Sequence, residues 1–165
     1  MKTVQNILVP TDFSDLSLAA IEMAKTIAEL FNAKIYFLNV IDDEPSLAFR
    51  IVDSHSETVL RDAEAKAQNI LAHLSDEYFK NCAEIKIAVQ RGNPFKSIIQ
   101  FIEENEIDLV VMATHGHTGL AHVLLGSVAE KVVRYSTVPV LTIKPKEMHR
   151  KFLHDSSETE QLHLN

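Results

Sequence analysis

Apolar residues recur along the chain in two alternating patterns, short runs and longer stretches with helical spacing. The short runs predict five strands, at 4–10, 34–41, 84–90, 108–112 and 139–144. Apolar residues three and four positions apart predict helices between them, at 16–31, 57–79, 94–104 and about 128–135. The third run alternates apolar and polar residues, so we expect a more exposed strand there than in the first two.

Capping residues support the start of three of these helices. Ser14 or Asp15 is a suitable cap for the first. Asn93 is a good N-cap for the third, and Pro94 suits its first helical position. Ser127 with Glu130 three residues later forms the pattern of a capping box, which gives Ser127 a role as helix cap as the alternative to a phosphate contact.

Strands that alternate with helices predict an α/β fold. We expect a doubly wound, Rossmann-like parallel sheet of five strands in the order 3-2-1-4-5, with helices on both faces. In that order the switch point lies between strands 1 and 4, and ligands bind beyond the carboxyl ends of the strands there. Asp12 lies in the loop after strand 1, and a glycine-containing stretch, 113–127, follows strand 4. The topology therefore brings these two loops together.

Three of the four glycines lie in the stretch after strand 4, at Gly116, Gly119 and Gly126. Glycine lowers the stability of a folded chain, so it is expected mainly where the backbone needs a positive φ or must approach a ligand or another segment closely. Backbone N–H groups in such a loop, next to a helix N-terminus, form a site for an anion such as phosphate. The stretch has no lysine or arginine. Phosphate charge would then be met by N–H groups, the helix dipole and Mg²⁺.

Composition and net charge indicate which partners and which cellular compartment to expect. The net charge is −7 and the sequence pI is about 5.6, which argues against nucleic acid or an anionic membrane as a partner. A single cysteine, Cys82, excludes an intrachain disulfide and fits a reducing compartment. No signal-peptide pattern or membrane-length apolar run is present, so we expect a cytoplasmic protein. We expect one α/β domain at 1–145 and a polar tail at 146–165.

Several motifs, in order and at matching spacings over about 2–145, resemble the nucleotide-binding branch of the universal stress protein family. The family's glycine motif has a glycine, two residues, a second glycine, nine residues, and then glycine with serine or threonine. Gly116, Gly126 and Ser127 match its later positions, and Ala113 replaces its first glycine. Further segments match at 10–14, at 39–42, and at 126–130 followed by 137–140.

The resemblance implies a stress-response protein that binds ATP or another adenine nucleotide. It places the Val40 main chain at the adenine, Asp12 near the ribose, and Gly116, Gly126, Ser127 and Val128 at the phosphates. It also implies a homodimer formed through strand 139–144, an exposed edge that is otherwise prone to uncontrolled pairing. The candidate binding residues are Pro10, Thr11, Asp12, Val40, Ala113, His115, Gly116, His117, Gly119, Gly126, Ser127 and Val128.

Each candidate has an alternative role. Ser127 is either a phosphate contact or simply a cap, and Asp12 either binds the ribose or holds a turn. The methyl group of Ala113 either crowds the ribose or is harmless where φ stays negative. His115, His117 and His122 could suggest a transition-metal site, but no cysteine or nearby carboxylate joins them. A contact between His117 and a phosphate fits better.

Three functions stay open at this point. The first is a homodimeric ATP-binding regulator with unknown protein partners and at most slow ATP hydrolysis, because no residue is identified as a catalytic base. The second is an interaction protein of the same fold that binds no nucleotide because Ala113 blocks the site. The third is a weak hydrolase of nucleotides or related small molecules, since the fold alone does not decide function.

Overall fold

One parallel sheet forms the centre of the molecule, in the order β3-β2-β1-β4-β5. The computed structural model describes residues 3–42, 57–80, 82, 84–114 and 126–144. The strands are β1 (Asn6–Pro10), β2 (Lys34–Ile41), β3 (Ile85–Arg91), β4 (Leu109–Ala113) and β5 (Val140–Ile143). Every neighbouring pair is parallel. The predicted fold class and strand order are confirmed.

Within the described residues, four helices connect the strands, as the spacing of apolar residues predicts. They are α1 (Asp15–Phe31), α2 (Glu57–Tyr78), α3 (Pro94–Glu104) and α4 (Ser127–Tyr135). Predicted and observed ends differ by at most two residues, which is usual at the ends of helices and strands. Residues 43–56, residues 115–125 and residues 145–165, which include the predicted tail at 146–165, lie outside the described residues.

Successive strand residues point to opposite faces of the sheet, so the chain builds two cores. Ile7, Val9 and Phe37 pack with α1 and α2 on one face. Leu8 and Leu38 pack with α3 and α4 on the other face. Residues of β3 are mostly only part-buried, which confirms the prediction that this strand is more exposed than β1 and β2.

Arg91, at the carboxyl end of β3, joins this strand to α2 through hydrogen bonds to two glutamates of the helix. Its Nε and Nη2 donate to the two Glu64 oxygens at 2.6 and 2.7 Å, and its Nη1 donates to Glu57 Oε2 at 3.0 Å. These hydrogen bonds raise the pKa of Arg91 above its ordinary value and lower the pKa of Glu57. The first turn of α2 is thereby held against the edge of the sheet where the strands end.

The helices in the described ranges include none that is both long and apolar enough to cross a membrane.

Candidate functional site

A cleft opens where β1 and β4 separate. The two strands pair only at Ile7 with Leu109 and at Leu8 with Val110, although β4 continues to Ala113. Pro10 ends β1 and carries no N–H, so it cannot extend the ladder as a donor. The cleft beyond this point has a volume of about 340 Å³. It lies at the carboxyl ends of the strands, at the predicted switch point.

Most of the candidate binding residues meet at this cleft. The described ones that line it are Pro10, Thr11, Asp12, Val40, Ala113, Gly126, Ser127 and Val128. His115, Gly116, His117 and Gly119 lie outside the described residues, as does His122. Two loops that are far apart in the sequence, after β1 and before α4, therefore share one cleft with the end of β2.

Sequence reasoning missed part of the lining. The additional residues are Ser17, Leu38, Asp42, Pro94, Ile98, Met112, Thr114 and Ala129. Leu38 and Asp42 stand two positions either side of Val40, so the two-residue period of a strand predicts that they share its face. That signal was available in the sequence. The contributions of α3 and β4 depend on packing between elements and leave no comparable pattern.

The turn from β1 to α1 is held by its own short polar side chains. Thr11 Oγ1 donates to Ser17 Oγ at 3.0 Å, and Ser17 Oγ donates to the Ser14 carbonyl at 2.6 Å. Thr11 Oγ1 also accepts from the Phe13 N–H at 3.1 Å. Thr11, Ser14 and Ser17 are all buried, so the network has little competition from water.

Asp12 is held in the same turn. Its Oδ1 accepts from the N–H of Ser14 at 3.1 Å and from Ser14 Oγ at 2.6 Å. Ser14, one of the two predicted caps, is the N-cap of α1; its side chain makes no cap bond, and its hydroxyl donates to Asp12. Phe13 has a φ of 64°, a left-handed backbone that is rare for a bulky residue. The surrounding network keeps this conformation, and Asp12 remains beside the cleft.

The start of α4 forms the opposite wall. Gly126 donates its N–H to the Thr114 carbonyl at 2.7 Å, which joins the end of β4 to the helix. The N-cap is Gly126, and Ser127 is the first helical residue. Of the two roles considered for Ser127, the capping role is therefore wrong, because Ser127 stands one position after the cap. Glu130 pairs instead with Arg134 at 2.8 Å.

Ala113 lies at the end of β4 with its backbone outside the left-handed region. It is 8% exposed and belongs to the core beneath α1. The negative φ removes the conformational reason for glycine at this position. Ala113 therefore belongs to the core and is also among the residues that line the cleft.

The charged side chains on the described lining are Asp12 and Asp42; lysine, arginine and histidine are absent from it. No group of three or more metal-binding side chains is found in the parts of the chain that the structure describes. An anionic ligand in this cleft would therefore meet backbone N–H groups rather than cationic side chains from these residues.

Two other chemically reactive or polar residues serve the fold. Cys82 is half-buried against the core, and burial raises the pKa of its thiol, which disfavours the nucleophilic thiolate. Asp108 Oδ2 accepts from the N–H groups of Gln5 and Asn6 at 3.0 and 3.1 Å, so it fixes the start of the central strands. Both lie outside the lining of the cleft.

The sheet order and the cleft at its switch point define a doubly wound α/β protein with a ligand-sized cleft. The chain matches the sequence model of the universal stress protein family over residues 3–144, and it belongs to that family. Universal stress protein MJ0531 of Methanocaldococcus jannaschii is 35% identical over 146 residues, covering 87% of this chain and 84% of that protein. The predicted resemblance is confirmed.

Solved structures support the same assignment. Protein MJ0577 of the same organism is named a universal stress protein and is 30% identical to this chain over 159 residues. Its structure superposes with a TM-score of 0.77 at 28% identity, covering 87% of this chain and 98% of that one. A universal stress protein crystallised in complex with cAMP superposes with a TM-score of 0.64 at 25% identity, covering 87% and 98% of the two chains.

Proposed function

We propose that this protein binds an adenine nucleotide, with ATP and Mg²⁺ as the physiological pair, and acts as a regulatory module in a stress response. The observation that carries the proposal is the cleft between β1 and β4, on which Val40, Asp12 and the start of α4 converge. A related universal stress protein is known in complex with cAMP, whose base and ribose are those of ATP.

The walls of the cleft suit the three parts of a nucleotide. Val40 and the apolar Leu38 and Ile98 offer a surface for the base. The carboxylate of Asp12 is suited to ribose hydroxyls, which are hydrogen-bond donors. The N–H groups of Ser127 and Val128, at the positive end of α4, are suited to phosphate. His115, Gly116, His117 and Gly119 are proposed to complete the phosphate end.

Mg²⁺ fits this arrangement as a phosphate-bound ion. It keeps several waters and needs only one or two carboxylates from the protein when phosphates supply the other oxygens. Asp12 and Asp42 are the carboxylates that line the cleft. The ion would offset the repulsion between these carboxylates and a triphosphate.

We place regulation ahead of catalysis. The described lining supplies no lysine or arginine to stabilise a transferring phosphoryl group. Nucleotide binding would instead shift the population of a surface that protein partners recognise. ATP hydrolysis, if measured, is expected to be slow. The site of action is proposed to be the cytoplasm, and the tail at 146–165 is proposed to lie outside the nucleotide-binding domain.

We also propose that two copies pair through β5. This strand is at one edge of the sheet, with β4 as its neighbour, and Leu141 on it is 36% exposed. Val133 and Tyr135 on the adjacent α4 are exposed as well. Edge strands with exposed apolar side chains are templates for pairing. Sedimentation of the wild type and of a Leu141→Lys variant tests the pairing: a monomeric wild type would end this part of the proposal.

Calorimetric titration of nucleotide-stripped protein with ATP and Mg²⁺ tests the main proposal. Gly126→Asp places a carboxylate where the phosphates are proposed to lie, and the backbone of Gly126 (φ −65°) accepts any residue. We expect wild type to bind and Gly126→Asp to lose about a hundredfold or more in affinity through like-charge repulsion. Gly126→Ala is the matched control for bulk without charge. Absence of binding by wild type at millimolar ATP would reject the proposal and favour the interaction protein.

A further inference from the structure

The ladder between β1 and β2 ends in an unusual way beside the cleft. Thr11 donates its N–H to the Leu38 carbonyl at 2.9 Å, which continues the parallel ladder one residue past β1. The Thr11 carbonyl then accepts from the side chain of Asn39, whose Nδ2 lies 2.9 Å away. Asn39 is 6% exposed, so this is a buried hydrogen bond from a side chain to the main chain.

Alternation along β2 shows which main-chain group Asn39 replaces. The N–H of Ile35 and the carbonyl of Ile41 bond toward β3, to Glu84 and Gly92. The carbonyl of Leu38 bonds toward β1. Since successive residues of a strand direct their N–H and C=O groups to opposite sides, those of Val40 point toward β1. In a regular parallel ladder the Val40 N–H would be the next donor to the Thr11 carbonyl.

The Asn39 amide therefore occupies the position that the Val40 N–H would take. Within the described ranges, the Val40 N–H and C=O have no partner from β1, and Val40 lines the cleft. A donor and an acceptor thus lie side by side on the main chain and face the space that a ligand would fill.

We infer that Asn39 is a positioning residue for base recognition: by capping the Thr11 carbonyl, its side chain keeps the Val40 N–H and C=O available to the edge of a purine base. The inference rests on the proposed nucleotide function. Adenine presents an acceptor at N1 beside a donor at its 6-amino group, which matches this pair. Guanine presents a donor at N1 beside an acceptor at O6, the opposite pattern.

Amide hydrogen exchange tests the open ladder without any ligand. In the wild type, we expect the Val40 amide to exchange much faster than the Leu38 amide, which lies within the β1–β2 pairing. In Asn39→Leu the buried Thr11 carbonyl loses its donor, and the Val40 N–H is expected to take its place. Exchange at Val40 should then slow by about tenfold or more. Equal protection of Val40 and Leu38 in the wild type would overturn the inference.

Base selectivity tests its consequence. We expect the wild type to bind ATP at least about tenfold tighter than GTP, and Asn39→Leu to bring that ratio close to one. Asn105→Leu is the matched control, because Asn105 Nδ2 also donates to a carbonyl, that of Phe101 at 3.1 Å, at the far end of α3. A loss of stability alone would leave the ratio unchanged in both variants.

The outcomes separate the two claims. A wild type that binds no nucleotide rejects the proposed function, and the exchange rates still decide whether Asn39 keeps the ladder open. A wild type that prefers ATP, with the same preference in Asn39→Leu, rejects the inference and leaves the proposed function standing. If Asn39→Leu does not fold, Asn39→Asp keeps the side-chain volume, removes the donor and gives the same two readouts.

Discussion

Two helices begin at the same edge of the sheet, beside the same cleft, and their first turns are completed differently. In α3, Pro94 has no N–H, and the Asn93 side chain accepts from the Lys96 N–H at 3.2 Å. The Ser97 N–H bonds to the Asn93 carbonyl. In α4 the N-cap is Gly126, which has no side chain to offer.

The two helices therefore differ in how many first-turn N–H groups are free to bind a ligand. The first bond within α4 joins the Glu130 N–H to the Gly126 carbonyl at 2.8 Å. The N–H groups of Ser127, Val128 and Ala129 have no protein acceptor within the described ranges. In α3, Phe95 is the corresponding residue whose N–H lacks such an acceptor. A helix whose first N–H groups are bonded to its own cap stabilises the fold. A helix whose first N–H groups lack protein acceptors is suited to bind an anion.

Placing an asparagine N-cap on α4, like that of α3, is the strongest test of the difference between the two helices. Gly126→Asn places an amide oxygen where it can accept from the first-turn N–H groups, and asparagine is among the best N-caps. We expect affinity for ATP with Mg²⁺ to fall about tenfold, because the donors are already satisfied and the side chain occupies phosphate space. Calorimetry measures the affinity, and urea unfolding should show stability unchanged or a few tenths of a kcal/mol higher. Unchanged affinity would show that these N–H groups do not hold the phosphates.

Removing the cap of α3 gives the converse result. Asn93→Ala is expected to lower the free energy of unfolding by about 1 kcal/mol, the usual cost of losing an N-cap side chain. Affinity for ATP should stay within about twofold, since Asn93 is not among the residues that line the cleft. Urea unfolding and calorimetry on the same sample check both values. A large loss of affinity at constant stability would mean that Asn93 contacts the ligand.

The difference between the starts of α3 and α4 also explains why one cap could be predicted from the sequence and the other could not. Asn93 and Pro94 are adjacent and act on the turn that follows them, so a local pattern was enough. Ser127 and Glu130 form an equally good local pattern, yet the cap falls at Gly126. The N–H of Gly126 is fixed by the Thr114 carbonyl, twelve residues earlier, and this contact sets where the helix starts. No local pattern contains that information.

The same distinction applies to the rest of the molecule. The strand order and the position of the cleft follow from alternating elements and the rules for parallel sheets, so they were predicted correctly. Asn39 lies in the matching segment 39–42, but its role could not be predicted, because its bond to Thr11 joins residues 28 positions apart. A polar side chain that positions a binding residue without contacting the ligand produces no recognisable spacing in the sequence. They become visible only when the partners of a buried amide are known.

Ser127→Ala should have the smallest effect on stability, and it separates the two roles considered for this serine. The hydroxyl of an N-cap serine is worth about 1 kcal/mol, but Ser127 is the first helical residue rather than the cap. The free energy of unfolding should therefore change by less than about 0.5 kcal/mol, as at an ordinary surface position. A hydroxyl that contacts phosphate contributes a hydrogen bond, so affinity for ATP should fall by about three- to tenfold. A loss of stability near 1 kcal/mol with unchanged affinity would restore the capping role, and α4 would then resemble α3 after all.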